Sequence, residues 1–250
     1  MMGTGNVATQ LSLAMYAKGL QIVQIYGRHP ELAGELSERV GSEPVSSPEL
    51  ITSEADLYIL AVSDRAIAEV AAQLPFRCSW LLHTAGSVPV SVLQGFADHA
   101  GVLYPFQTLS KNRILDFEEV PLFVEALNPE DLPVLRDFAG ILSAQVFEMS
   151  SEQRPVLHMA AVFACNFVNH FYALGAALLE KEKIPFSVLT PLMEETFRKA
   201  SESGNPLQMQ TGPAVRKDRE VIEEHIRRLR EHPEWQKLYI FVTESIMNMH

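Results

Sequence analysis

Three patches of this sequence hold residues whose types and spacing could do chemistry. The first is Gly3-Thr4-Gly5-Asn6-Val7-Ala8, which fits G-x-G-x-x-G/A. Glycines at the first two positions let the backbone turn tightly and approach a pyrophosphate, whose charge then rests on the free amides of the following helix. The second is Gly27-Arg28-His29, about 20 residues further on. An acidic residue there would bond a ribose 2′-hydroxyl. Arg28 can instead bind a 2′-phosphate through charge-assisted hydrogen bonds, so the expected cofactor is NADP rather than NAD. The plainer alternative is a solvated arginine in a surface turn. The third patch is dispersed: His83 ends an apolar run, and His158, Asn166 and Asn169 interrupt another. Histidine titrates near neutrality and suits proton transfer. Eleven α-helical residues at about 100° each bring Asn169 back to within roughly 20° of His158, and Asn166 lies about 80° away.

The glycine pattern has meaning only between a strand and a helix, and the flanking sequence supplies the rest of such a frame. Val7–Lys18 reads as a helix ended by Gly19, Gln21–Tyr26 as a strand, and Pro30–Val40 as a helix with proline at its first position. Leu57–Val62 is an uninterrupted apolar run, the pattern of a strand buried on both faces. A helix over Asp64–Leu74, strands over Ser79–Thr84, Gly101–Pro105 and Pro121–Ala126, a helix over Pro129–Leu142 capped by Asn128, and a strand over Ala144–Met149 complete an α/β pattern with a parallel sheet. Only Met1 and Met2 precede Gly3, so the first strand is truncated in this sequence, and the natural chain is expected to start upstream. From Ser151 onward four helical blocks follow: Ser151–Lys183, Pro185–Ser203, Val215–Glu231 and Pro233–Met249. The fold class expected is therefore α/β, a Rossmann parallel sheet over residues 1–149, followed by an all-helical domain over residues 150–250.

The net charge of −11 argues against a nucleic-acid or anionic-membrane binder, which needs a basic face. Cys78 and Cys165 show no metal-ligand spacing, so no metal site is expected, and both read as reduced thiols of a cytoplasmic protein. Val156–Leu179 is apolar enough to imitate a membrane span. It carries His158, Asn166, Asn169 and His170, which favours a helix buried at an interface, and a homodimer through the helical domain follows. Thr211-Gly212 before Pro213, with Arg216 nearby, reads either as a helix cap or as an anion site.

GTGNVATQL, LYILAVSD, LLHTAGSVP, GVLYPFQTLSKNR, SEQRPVLHMAAVFACNFVNHFYALG and QTGPAVRKD together resemble the Rossmann-like proteins with a C-terminal helical domain of unknown function. These are labelled deazaflavin-dependent NADP oxidoreductases and are related to pyrroline-5-carboxylate reductase and the 6-phosphogluconate dehydrogenase helical domain. The resemblance implies a bound nicotinamide dinucleotide and a dimer. It implies that Val62-Ser63-Asp64 and Thr84-Ala85-Gly86 face the cofactor, with Gly86 permitting close approach. It further implies a proton donor at His158, where the relatives have lysine, and substrate anchors at Asn166 or Asn169, with His83 as the other donor candidate. The same polar groups could instead only satisfy neighbouring helices. Two readings follow: an NADP-dependent oxidoreductase acting on a small C=O or C=N substrate, and a regulatory protein that binds NADP without turnover.

Overall fold

The computed structural model describes residues 1–113 and 115–250. They form two compact units, Met1–Cys165 and Asn166–His250. The division falls later than the boundary expected near Met149, because the start of the long helix after Ser150 is bonded into the first unit.

In the first unit the chain runs α1 (Asn6–Ala17), β1 (Gln24–Tyr26), α2 (Pro30–Val40), β2 (Glu43–Val45), β3 (Leu57–Leu60), α3 (Ile67–Ala72), β4 (Cys78–His83), β5 (Ala97–Pro105), β6 (Leu122–Ala126), α4 (Leu132–Leu142), β7 (Val146–Glu148) and α5 (Gln153–Ala161). Strands β3 to β7 are neighbours in that order, and β1 pairs with β2. Met2 joins the two sets: it bridges Tyr26 on one side and Leu60 on the other, both in parallel. Main-chain bonds from Met2 N–H to Ile59 O and from Gly3 N–H to Tyr26 O, each 2.8 Å, make Met1–Gly3 the central rung of the sheet. β1 is three residues long where six were expected, because its partner at Met1–Gly3 reaches only its carboxyl half. Beside its amino half lies a cavity of about 450 Å³ lined by Met1, Met15, Ile22, Val23, Leu57 and Phe138 among others.

Alternation along the strands sends side chains to two faces. Ile25, Ile59, Leu82 and Leu103 pack on one face with Leu11 and Met15 of α1, Leu36 of α2 and Leu135 of α4. Tyr26, Tyr58, Leu60 and Leu81 pack on the other with Ile67 and Val70 of α3. The sheet is thus covered on both sides, as its apolar runs require. It is mixed rather than wholly parallel: β5 and β6 pair antiparallel, with Tyr104 opposite Phe123.

Several local expectations shift. Ser150, not Ser151, caps the start of α5, its hydroxyl accepting from the amides of Glu152 and Gln153 at 3.3 Å. Asn128 makes no cap bond; its amide reaches Asp131 at 3.2 Å instead. The long helix is not uniform, since Val162–Phe167 is a π-helical turn between α5 and α6 (Val168–Lys181). A π turn closes i to i+5, so each residue advances by less than 100°, and the count that put His158 and Asn169 on one face fails across it.

The second unit is helical: the rest of that run, α7 (Thr190–Glu202), α8 (Arg219–Arg228) and α9 (Pro233–Met249). Asp218 caps α8, accepting from Val221 N–H at 3.3 Å. Pro213 therefore opens no helix, and the anion site considered at Thr211-Gly212 has no helix terminus behind it.

Candidate functional site

The cofactor-facing residues expected from the sequence converge on one cavity of about 570 Å³ at the carboxyl ends of the strands, within the first unit. Gly3, Thr4, Gly5, Asn6 and Val7 line it, together with Arg28, Val62, Ser63, Asp64, Thr84, Ala85, Gly86 and His158. Open α/β sheets bind their ligands at this edge, where the strand order reverses.

Each glycine has a distinct reason to be there. Gly3 has φ of +125°, and a Cβ on it would lie 2.2 Å from the Ala61 carbonyl oxygen. No side chain fits at the crossing of the central rung and the end of β3. Gly5 is the N-cap of α1 with extended backbone, and a Cβ there would meet nothing within 4 Å. Its smallness keeps space open in front of the helix. No side chain caps α1 and no acidic residue occupies its first turn, so its first amides are free to accept an anion. A Cβ at Gly27 would meet the Thr4 methyl at 2.6 Å, so its smallness lets β1 close against the glycine turn. Arg28 stands exposed at the rim beside His29. The free amides, the open space beside Gly5 and the rim guanidinium fit a phosphorylated dinucleotide. Those amides would hold its pyrophosphate, and Arg28 its additional phosphate.

At the other end of the cavity the loop after β4 is fixed from beneath. Arg154 of α5 is 1% exposed. Its Nε donates to the Ala85 carbonyl at 3.2 Å, Nη2 to the Val88 carbonyl at 2.5 Å, and Nη1 to the Glu125 carboxylate. Glu125 also accepts from the amide and hydroxyl of Ser151, each at 2.8 Å, and the Ser151 hydroxyl accepts from Val90 N–H at 2.9 Å. The Asp64 carboxylate accepts from the Ser87 hydroxyl, tying this loop to the one after β3.

Of the two histidines expected as donors, only His158 lines the cavity. His83 is fully buried under the loop, and its Nδ1 accepts from Ala85 N–H at 3.2 Å. Burial, aided by the Arg154 cation, lowers its pKa from 6.5 to about 4, so it stays neutral. The linkage has a definite sign. The unfolded chain takes up this proton near pH 6.5 and the folded chain only near 4. The stability involved is therefore present above 6.5 and is lost as pH falls through that window, by about 3 kcal/mol. Urea unfolding of the parent and of His83→Gln between pH 7 and 4 should show the parent losing stability more steeply; parallel slopes would exclude it.

His158 is exposed, and its Nδ1 lies 2.9 Å from the hydroxyl of Tyr104, a strand-end residue for which the sequence suggested no chemistry. Tyr104 is the penultimate residue of β5, is 9% exposed and lines the same cavity. Burial raises its pKa, against a smaller opposing effect of Arg154, so the phenol stays protonated. A Cβ at Gly86 would come within 2.9 Å of both His158 Nδ1 and the Tyr104 hydroxyl. Only glycine permits this pair to meet. Asn166 and Asn169 are exposed residues of the second unit.

Sequence comparison agrees with this geometry. Residues 1–85 match the family described as NADP oxidoreductase, coenzyme F420-dependent, and residues 120–246 match a domain of unknown function, DUF2520. The chain belongs to this family of two-part NADP oxidoreductases. NADP is the cofactor, as the sequence led us to expect. A crystal structure from Bacteroides fragilis, provisionally named an NADP oxidoreductase, is 45% identical over 99% of this chain and 96% of that one, with a TM-score of 0.92. An Aspergillus terreus reductive aminase in complex with NADPH and ethyl-5-oxohexanoate shares the fold at 11% identity, covering 100% and 94% of the two chains with a TM-score of 0.74. A Streptococcus pyogenes 1-pyrroline-5-carboxylate reductase does so at 16% identity, 99% and 96% coverage and a TM-score of 0.59. No curated protein matches this member of the family. Among the described residues, no group of three or more histidine, cysteine or acidic side chains is placed to hold a metal ion.

Proposed function

We propose that this oxidoreductase uses NADP to reduce, or in reverse to oxidise, a small C=O or C=N substrate at the Gly86–His158 end of the cavity. The observation that carries this reading is that one cavity joins an uncapped helix terminus and a rim arginine to a histidine–tyrosine pair. NADPH supplies a hydride. Gly3–Val7 and Arg28 bind it, Thr84–Gly86 and Val62–Asp64 form the walls, and His158 provides the route for the proton. The Aspergillus terreus complex, which holds a keto ester beside NADPH, supports a carbonyl or imine substrate.

The protein works as a cytoplasmic homodimer in this reading. Gln153–Lys181 is long and apolar enough to cross a membrane, yet it carries His158, Asn166, Asn169 and His170, which are costly in hydrocarbon. A second copy covers α6 instead, along with exposed Leu192, Phe197 and Phe241 of the helical unit. A panel of ketones, aldehydes and cyclic imines, followed by loss of NADPH absorbance, tests the reaction. At least one substrate should turn over with NADPH and weakly with NADH. Binding of NADPH with no turnover across the panel would favour a regulatory NADP-binding protein.

A further inference from the structure

We propose that Tyr104, rather than His158 directly, hands the proton to the substrate, that His158 refills it from water, and that the substrate is accordingly one whose hydride adduct is anionic, as a ketone's or aldehyde's is and a pre-formed iminium ion's is not. The inference rests on the reductive reading above and adds to it the identity of the acid and the exclusion of pre-formed iminium substrates.

Three observations carry it. The Tyr104 hydroxyl and His158 Nδ1 are 2.9 Å apart, in hydrogen-bond contact. Their exposures are opposite: the phenol is buried at the cavity floor, while the imidazole is exposed and its Nε2 is free to exchange with solvent. And Gly86 is packed against the contact so tightly that a methyl group would strike both partners at 2.9 Å, so the fold reserves this spot for the pair. A lone surface histidine needs none of this.

Proton balance restricts the substrate. Hydride addition to a carbonyl carbon breaks the C=O π bond and leaves an alkoxide, which must gain a proton. The Tyr104 O–H bond breaks as the new O–H forms, the phenolate oxygen takes the Nδ1 proton of His158, and Nε2 takes one from water. Hydride addition to an iminium carbon leaves a neutral amine and calls for no acid. A built relay is therefore useful for carbonyls and idle for iminium ions. The local charge agrees, because the charged groups acting on Tyr104 are the Arg154 guanidinium and the Asp64 carboxylate, and Asp64 is engaged by Ser87. Arg154 is in turn paired with Glu125, and His83 beside it is neutral.

Tyr104→Phe removes one oxygen and keeps the ring. In the intact protein it should lower kcat on a ketone by about 10²- to 10⁴-fold, the range for loss of a general acid. NADPH affinity and melting temperature should stay near the parent values. A second readout needs no turnover: ¹⁵N spectra of the cofactor-free protein should show His158 Nδ1 in a hydrogen bond in the parent, and that signature should vanish in Tyr104→Phe. A parent that reduces ketones while Tyr104→Phe does so equally fast overturns this inference alone, as does an unchanged His158 spectrum. A parent that reduces only iminium substrates overturns it too, and a parent inert to every substrate defeats the reductive reading beneath it.

Discussion

Arg154→Ala will destabilise the first unit by about 3–5 kcal/mol, the range for removing one partner of a buried ion pair. The guanidinium is 1% exposed and satisfies Glu125 together with the carbonyls of Ala85 and Val88. Deleting it leaves a carboxylate that is only 16% exposed with Ser151 as its remaining partner, and takes the donor from both carbonyls. Arg154→Lys should recover only part of the loss, because one ammonium cannot span the loop, β6 and Ser151 at once. Arg154→Met combined with Glu125→Met should be milder than Arg154→Ala, since it removes the charge as well as its partner. Urea unfolding followed by circular dichroism reads all three. A loss below about 1 kcal/mol for Arg154→Ala would mean that the pair is solvated and that the loop carrying Gly86 is held by something else.

A matched pair of glycine substitutions should separate folding from cofactor binding. In Gly3→Ala the new methyl would sit 2.2 Å from the Ala61 carbonyl oxygen with φ at +125°, so Met1–Gly3 and the end of β3 must part. Backbone strain of this kind costs about 1–3 kcal/mol before the collision is counted. The melting temperature should fall by roughly 10 °C or more, at about 2–4 °C per kcal/mol for a domain of this size. Gly5→Ala is the contrast, since its methyl meets nothing within 4 Å and its backbone is extended. It should melt within about 2 °C of the parent, yet bind NADPH about 10- to 100-fold more weakly, because the methyl fills the space reserved for phosphate. Equal NADPH affinity in parent and Gly5→Ala would show that the phosphates lie elsewhere.

What could be read from sequence was whatever local pattern determines. The apolar run at Leu57–Val62, the glycines at 3 and 5 and the proline-started α2 each declare themselves within a few residues, and the cavity gathered their expected partners. What stayed hidden depends on groups far apart in the chain. Tyr104 and His158 are 54 positions apart and meet only because β5 and α5 converge. Arg154 stands in a Ser-Glu-Gln-Arg stretch that reads as a solvated helix start, and only the fold buries it. β2 is three residues with a proline in the middle, too short and too irregular to signal a strand. Nothing in Val162–Phe167 marks a π turn, so the α-helical count across it misled. Asp218 capped α8 where Thr211 had been the candidate, because the turn after Pro213 does not continue into the helix.

Free amides at the glycine turn and the Arg28 guanidinium should together hold a dinucleotide by its pyrophosphate and its 2′-phosphate. Isothermal calorimetry with NADPH and NADH, on the parent and on Arg28→Ala, tests it most directly. NADPH should bind about 10- to 100-fold tighter than NADH in the parent, worth one charge-assisted contact of about 1.5–3 kcal/mol. In Arg28→Ala that preference should collapse while NADH affinity barely moves. Equal affinities for the two nucleotides in the parent, or no heat with either, would contradict it.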